Sequence, residues 1–443
     1  VSAAHDIELQ GSPLQPVAGE AARRRSVAYL AGVLVGGNVL ASALRMVGGI
    51  LQARFVGPPV LGLFNSLGLV LGYAPFLQLG ILNGLNRELP YYVGKGEHQR
   101  VRELAAAAQA WALMLSAALS AGLLALAAWS LLCGNAQVAA GWATNALAAF
   151  FFFYGATYLQ VTYRTGHDFA RLAMVNVAQN AVALALVALV ALLSFYGLCL
   201  RAVISGAIGT MMLHYWRPVR VGPKWNFAQW KHLLIVGLPI FGVGQLYAWW
   251  GVLDQTLVLC YTGKTGMGLY AMVVMVITTV ELLPLAVSQV VYPRMAEQFG
   301  RTGRFDGLAR MTIKPMLLTA AAMALGIPAA WWLVGPLTRI LVPKYVDAVP
   351  AMQWSLLVPF VSSFGPINNI FNVVRRQGLY LAAILVGMGV YFVTLLWLVR
   401  AQAELTAFPQ AMLAGRVAYM AACYVLVIRL VRKQRQAARL PGD

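Results

Sequence analysis

The sequence predicts an all-α polytopic membrane protein with about twelve transmembrane helices, arranged as two parallel six-helix repeats around a central cleft. Three observations carry that prediction. Of 443 residues, 60% are hydrophobic and only 11% are charged, whereas a soluble surface of this size draws on about 25% charged residues. Apolar runs of about 20 residues, each able to cross ~30 Å of hydrocarbon, recur from Val27 to Ile428. The third observation is an internal repeat.

Leu51–Phe64 and Leu257–Tyr270 align without a gap at a constant offset of 206 positions. Gly57 falls on Gly263, Gly62 on Gly268, Leu63 on Leu269 and Phe64 on Tyr270. Farther along, Gly94-Lys95 falls on Gly300-Arg301. A fixed offset held this long marks an internal duplication. The chain reads as two copies of one unit.

The expected spans are 27–51, 60–85, 104–131, 138–163, 171–193 and 197–215 in the first copy. In the second they are 233–260, 266–292, 311–335, 346–372, 379–399 and 405–429. The layout is therefore an N-terminal tail (1–26), an N-lobe (27–215), a linker (216–232), a C-lobe (233–429) and a basic tail (430–443). Arg23, Arg24 and Arg25 precede the first apolar run. That run is too long for a signal-peptide core and lacks a clear cleavage site, so it is expected to be a retained span. The chain begins with Val1, which suggests an alternative start codon or a start farther upstream.

Lysine and arginine set the orientation. Of 33 such residues, only Arg54, Lys264, Arg339, Lys344 and Arg400 fall on one side, while Arg45, Arg201 and Arg416 lie within spans. The rest gather on the opposite side, which places both termini in the cytoplasm. The net charge of +19 is thereby accounted for without a nucleic-acid partner. With six spans per copy, both copies enter the membrane from the same side. Such parallel repeats have a pseudo-twofold axis along the membrane normal and a cleft between the halves, the geometry of a transporter. The linker mixes Trp216, Trp225, Phe227 and Trp230 with Arg217, Arg220, Lys224 and Lys231. Rings and cations together suit the headgroup layer, so an interfacial helix is expected there.

Enzymatic readings find little support. The outer loops run to about a dozen residues at most within the boundary error of such spans, leaving no room for a catalytic loop. His5, His98, His167, His214 and His232 lie in loops or at span ends, away from any carboxylate cluster. Gly94-Lys95-Gly96 and Gly300–Gly303 lack the Walker spacing and its Lys-Ser/Thr ending. Cys133, Cys199, Cys260 and Cys423 have no metal-ligand spacing. Three of them lie near outer span ends, where a disulfide is conceivable, but apolar packing is the expectation. No cofactor or metal is expected.

Ionisable groups at membrane depth are costly, so each is a candidate for function. Of fourteen acids, only Asp254 and Glu281 lie within spans. Asp254 falls on Gly48 under the repeat shift, and Arg45 lies three residues from Gly48. Arg45 and Asp254 therefore occupy similar depths on the first helix of each copy. They form either a gate or coupling pair across the cleft or a simple neutralising pair; in a third reading Arg45 snorkels outward. Glu281 falls on Pro75 and lies beside Pro284, a kink. It is either a proton site or a neutral acid with a packing role. Arg416, in the middle of the last span, needs an anion or a polar partner. Arg54 and Arg201, nearer the outer ends, are secondary candidates. Phe150–Tyr154 and Trp249-Trp250 read as lipid-facing or packing residues rather than sugar platforms.

Several stretches together resemble the polysaccharide-transporter (Wzx-type oligosaccharide flippase) family. They are Arg54-Phe55-Val56-Gly57-Pro58, Gly62-Leu63-Phe64 and Gly94-Lys95-Gly96-Glu97 in the first copy. In the second they are Leu234–Pro239, Asp254, Gly263, Gly268-Leu269-Tyr270, Tyr292-Pro293 and Lys344–Pro350. The order of these short motifs covers essentially the whole chain, with Pro343 where the family pattern has glycine. The resemblance implies a fold of the multidrug/oligosaccharidyl-lipid/polysaccharide (MOP) superfamily, MATE-like, with two lobes around a cationic cavity.

It further implies a monomer in the bacterial inner membrane. The cargo would be a polyprenyl-pyrophosphate-linked oligosaccharide carried from the cytoplasmic to the periplasmic leaflet. Membrane lipids and polysaccharide polymerase or export machinery would be its partners. Arg45 and Arg416 would meet the pyrophosphate; Asp254 or Glu281 would couple transport to a proton or sodium gradient. A diphosphate crosses hydrocarbon only where cations replace its hydration. A cation-coupled drug exporter of the same superfamily is the alternative, and a membrane enzyme of polysaccharide assembly a distant third.

Overall fold

The computed structural model describes residues 20–166, 168–302, 306–374, 376–402 and 404–437. Residues 1–19 of the expected N-terminal tail, His5, His167, Arg304, Arg375 and Arg439 lie outside the described residues, as does the end of the basic tail.

The described chain is almost entirely helical. Its first copy comprises α1 (Glu20–Phe55), α2 (Pro58–Tyr73), α3 (Ile81–Gly94), α4 (His98–Leu132) and α5 (Ala136–Phe150). A π-helical stretch, Phe151–Leu159, then leads into α6 (Gln160–Thr165), α7 (Phe169–Ala185), α8 (Val187–Leu193) and α9 (Phe195–Tyr215). The second copy comprises α10 (Phe227–Val280), α11 (Leu282–Thr302), α12 (Asp306–Leu341), α13 (Val349–Ser355) and α14 (Leu357–Ser362). It ends with α15 (Asn369–Val373), α16 (Gln377–Gln402) and α17 (Ala407–Ala437). This is the all-α, multi-pass membrane architecture that the apolar runs require.

Among the described residues, nine helices are long and apolar enough to cross a membrane, or ten if the bent pair Pro343–Ser362 and Gly365–Val373 is one span. The difference from about twelve has a physical reason. One of the nine is the 46-residue run Gly244–Gln289, which at 1.5 Å per residue is about 69 Å long, twice the hydrocarbon thickness. Gly263 breaks it, with φ 66° and ψ −165°, a conformation that only glycine adopts readily. Two expected spans, 233–260 and 266–292, meet at that break. The expected first span falls on α1 and is not among the nine.

Backbone contacts divide the chain into two compact units. One contains Leu67–Gln245 and the chain before Gly49; the other contains Gly49–Ser66 and Leu246 onward. The core of unit one includes Leu85, Leu104, Phe153, Tyr158, Tyr163 and Leu233, all fully or almost fully buried. Within the aromatic run Phe150–Tyr154, Phe153 and Tyr154 thus pack inward in this core, while Phe150 is exposed.

The helix expected over the linker begins only at Phe227, and residues 217–226 are not helical. Pro218 and Pro223 remove backbone donors there. The segment is instead pinned to α4: Lys224 N donates to Ala106 O (3.1 Å) and Trp230 Nε1 to Ala107 O (2.7 Å).

In unit two the repeat-related glycines meet reciprocally. A Cβ on Gly62 would lie 1.7 Å from Lys264 O, and a Cβ on Gly268 would lie 1.9 Å from Pro58 O. Pro58 and Lys264 are themselves 206 positions apart, so the two crossings are one contact seen from both copies. The end of α1 is capped in the same unit. Lys344 Nζ donates to Phe55 O and Tyr345 Oη to Val56 O, both at 3.2 Å. These carbonyls lie at the helix end, where the last four have no partner within the helix, and a lysine suits the negative end of the helix dipole. Several shared motif residues therefore hold backbones together.

Candidate functional site

A buried polar cluster of unit two is built on the middle of α10, ahead of its break at Gly263. Tyr247, Trp250 and Asp254 follow one another at helical spacing and so lie on one face. Asp254 is 3% exposed. Its Oδ1 accepts a hydrogen bond from Tyr391 Oη of α16 (2.8 Å), and its Oδ2 accepts one from Tyr270 Oη. Trp250 is fully buried, edge-on to Tyr391 with ring centres 6.0 Å apart. Arg416, on α17 and 8% exposed, lies over two of these rings. Its Cζ is 4.5 Å from the Tyr247 ring centre and 5.2 Å from that of Trp250. Desolvated cation–π contacts of this kind contribute about 2 kcal/mol.

Stacking leaves the guanidinium unsaturated. Arg416 Nε and Nη1 are buried without a hydrogen-bond partner, as is Trp250 Nε1. Among the described residues the ion pairs are Lys95–Glu97, Arg100–Glu103, Arg171–Asp168 and His232–Glu88, so none neutralises Arg416. Beside it, Asn368 Nδ2 donates to Tyr419 Oη (2.8 Å), which donates to Tyr380 Oη (3.0 Å). Spare donors on a buried cation make Arg416 a candidate for an anion. The aromatic frame fixes its guanidinium plane.

Glu281 occupies a separate place in unit two. It sits at the junction of α10 and α11, where Ser362 Oγ donates to its Oε1 (3.0 Å). Two turns on, Asn369 Nδ2 donates to Ser288 Oγ (2.9 Å).

In unit one, Arg45 and Arg201 are both tied to α7. Arg45 Nε donates to Asn180 Oδ1 (3.4 Å) and Arg201 Nε to Ala183 O (2.7 Å). Asn180 and Ala183 are three residues apart, on one face of that helix. Arg201 thus shares its partner helix with Arg45. Arg54 is exposed in the last turn of α1.

Sequence reasoning picked out Arg416 and Asp254 but missed their aromatic frame. Tyr270 carried a signal. Under the repeat shift it falls on Phe64 while Asp254 falls on Gly48, so the second copy gains a hydroxyl and a carboxylate together. Nothing in the local sequence marks Tyr391, which reaches Asp254 from 137 residues away. Among the described residues, no group of three or more His, Cys, Asp or Glu could hold a metal ion.

Comparisons with known proteins agree with this architecture. Residues 97–314 match the family described as "Polysaccharide biosynthesis protein". No curated protein matches the chain in sequence. Among solved structures, an inward-facing multidrug resistance MATE family transporter of the MOP superfamily superposes with a TM-score of 0.72 at 12% identity. That alignment covers 89% of this chain and 96% of the relative. An outward-facing one gives a TM-score of 0.64 at 13% identity, over 93% and 96%. A point mutant of the Vibrio cholerae MATE transporter VcmN gives 0.61 at 12%, over 93% and 98%. The fold is that of the MATE transporters.

Proposed function

We propose that this chain, which matches the polysaccharide biosynthesis protein family over residues 97–314 and has a MATE transporter fold, is a flippase for a polyprenyl-pyrophosphate-linked oligosaccharide. It would move that cargo from the cytoplasmic to the periplasmic leaflet of a bacterial inner membrane by ion-coupled alternating access. The observation that carries this reading is Arg416, buried with Nε and Nη1 unpartnered and with no ion pair to a carboxylate among the described residues. A diphosphate supplies the charge and the acceptor oxygens that such a group lacks, while the lipid tail stays in the bilayer. Arg45, held beside α7 in unit one, is the second candidate for the pyrophosphate. Trp250 Nε1 adds a further donor.

Asp254 would be the coupling residue. Its two tyrosine donors give a carboxylate a definite geometry without cancelling its charge, as a cation-exchange site requires. Glu281, with a single serine donor, is the second candidate. The energy source would be a proton or sodium gradient, with no cofactor. The protein would act as a monomer with both termini cytoplasmic, among membrane lipids and alongside polysaccharide polymerase or export machinery.

One observation favours a second reading, a cation-coupled drug exporter: the MATE relatives above are multidrug resistance transporters. Transport in proteoliposomes separates the two. Translocation of a polyprenyl-pyrophosphate oligosaccharide by wild type, with loss in Arg416→Gln and Asp254→Asn variants of unchanged melting temperature, supports the flippase. Expulsion of a cationic dye under an ion gradient, with no movement of lipid-linked sugar, supports the exporter.

A further inference from the structure

Unit one contains a cavity of about 750 Å³ between α4, the π-helical stretch and the end of α9. Its size lies within the ~300–1,000 Å³ range of small-molecule sites. Leu113, Phe150, Met211, Met212, Tyr215 and Trp216 make most of its wall apolar. The π-helix shapes one side: Thr157 Oγ1 donates to Phe152 O, five residues back, at 2.8 Å. Such wide turns recur at functional sites.

Polar groups mark one part of the lining. Tyr154 Oη and His214 Nδ1 are hydrogen-bonded (2.6 Å), and Arg217 Nη1 lies 2.8 Å from the same nitrogen. Arg217 does not itself line the cavity but stands beside it, next to Trp216 and in contact with His214, both of which do. A ligand with a long apolar chain and an anionic group matches the apolar wall and the cation beside it. Arg220 and Lys224 follow Arg217 in the chain, adding positive charge at the end that the lysine and arginine distribution assigns to the cytoplasm.

We propose that this cavity binds one anionic phospholipid of the cytoplasmic leaflet. An acyl chain lies along Leu113, Phe150 and Met212, and the phosphate meets Arg217. The complementarity is that of a basic pocket between membrane helices, a recurrent mode of lipid headgroup recognition. The site is independent of the cargo, because none of its residues belongs to the Arg416 cluster.

Native mass spectrometry of delipidated protein, titrated with phosphatidylglycerol or with phosphatidylcholine of the same chains, tests the proposal. Wild type should retain one phosphatidylglycerol with about tenfold preference over phosphatidylcholine, the worth of one hydrogen bond to a charged group. Arg217→Gln should abolish the preference, and Leu113→Trp, which narrows the cavity, should weaken both lipids. Arg217→Gln alters a partly exposed side chain outside the core, so the comparison stands even if Leu113→Trp folds poorly. Equal retention of both lipids by wild type overturns the proposal. So does an unchanged preference in Arg217→Gln, or displacement of phosphatidylglycerol by equimolar polyprenyl phosphate, which would assign the cavity to the transported lipid.

Discussion

Asp254 Oδ1 accepts a 2.8 Å hydrogen bond from Tyr391 Oη, which ties the first helix of the second copy to its fifth through a single buried carboxylate. Tyr391→Phe removes that donor and leaves the carboxylate one partner short, costing about 1–3 kcal/mol. Asp254→Asn/Tyr391→Phe should lose much less than the sum of the two single variants, because both act on one contact. Thermal unfolding in detergent reads this out. Additive losses would show that the bond contributes nothing of its own.

Arg416→Lys keeps a charge at membrane depth but loses the planar group that lies over Tyr247 and Trp250. Transport of the lipid-linked oligosaccharide should fall by about tenfold or more, since a point charge cannot keep both the stack and two directed donors. Initial rates in proteoliposomes measure the effect. Full activity in Arg416→Lys would reduce the residue's role to charge alone.

Gly62→Ala and Gly268→Ala should each destabilise unit two by about 1–3 kcal/mol, the usual cost of overpacking. Gly68→Ala, with nothing within 4 Å of its added methyl, is the control and should be neutral or stabilising. Melting temperatures of the three variants decide the point. Equal behaviour of Gly62→Ala and Gly68→Ala would mean that the backbones separate freely.

Cysteine labelling tests the orientation. All four cysteines are free, Cys133 and Cys260 exposed and Cys199 and Cys423 buried. Cys133 closes α4 at the turn before α5, on the side assigned to the periplasm. A membrane-impermeant maleimide should therefore modify Cys133 from outside intact spheroplasts, while Cys199 and Cys423 react only after denaturation. Labelling of Cys133 solely in inverted vesicles would reverse the topology.

Helix content, the repeat and the two buried charges were legible in the sequence because each depends on local composition or on a fixed offset. Arg416 stood out as an arginine in mid-span, and the structure leaves it as unneutralised as that position suggests. The linker was misjudged because its rings and cations suit a headgroup helix, whereas Pro218 and Pro223 and the bond from Lys224 to Ala106 O hold it as an irregular strap. Tyr391 was illegible for a different reason. A tyrosine in an apolar helix reads as a bulky side chain until the fold reveals which carboxylate its hydroxyl reaches. Lys344 and Tyr345 were noticed as a motif, yet only the structure shows that they finish α1.

That cap has a consequence for synthesis. The carbonyls of Phe55 and Val56 receive their donors from residues 289 positions later. At ~5–20 residues per second, a ribosome adds that length in roughly 15–60 s. For that interval the tip of the first helix, already made, can be served only by water or lipid headgroups. Most of unit one lies before Gln245 and can assemble meanwhile, but Gly49–Ser66 belong with the later unit. The first membrane hairpin is thus among the earliest pieces made and among the last to be finished.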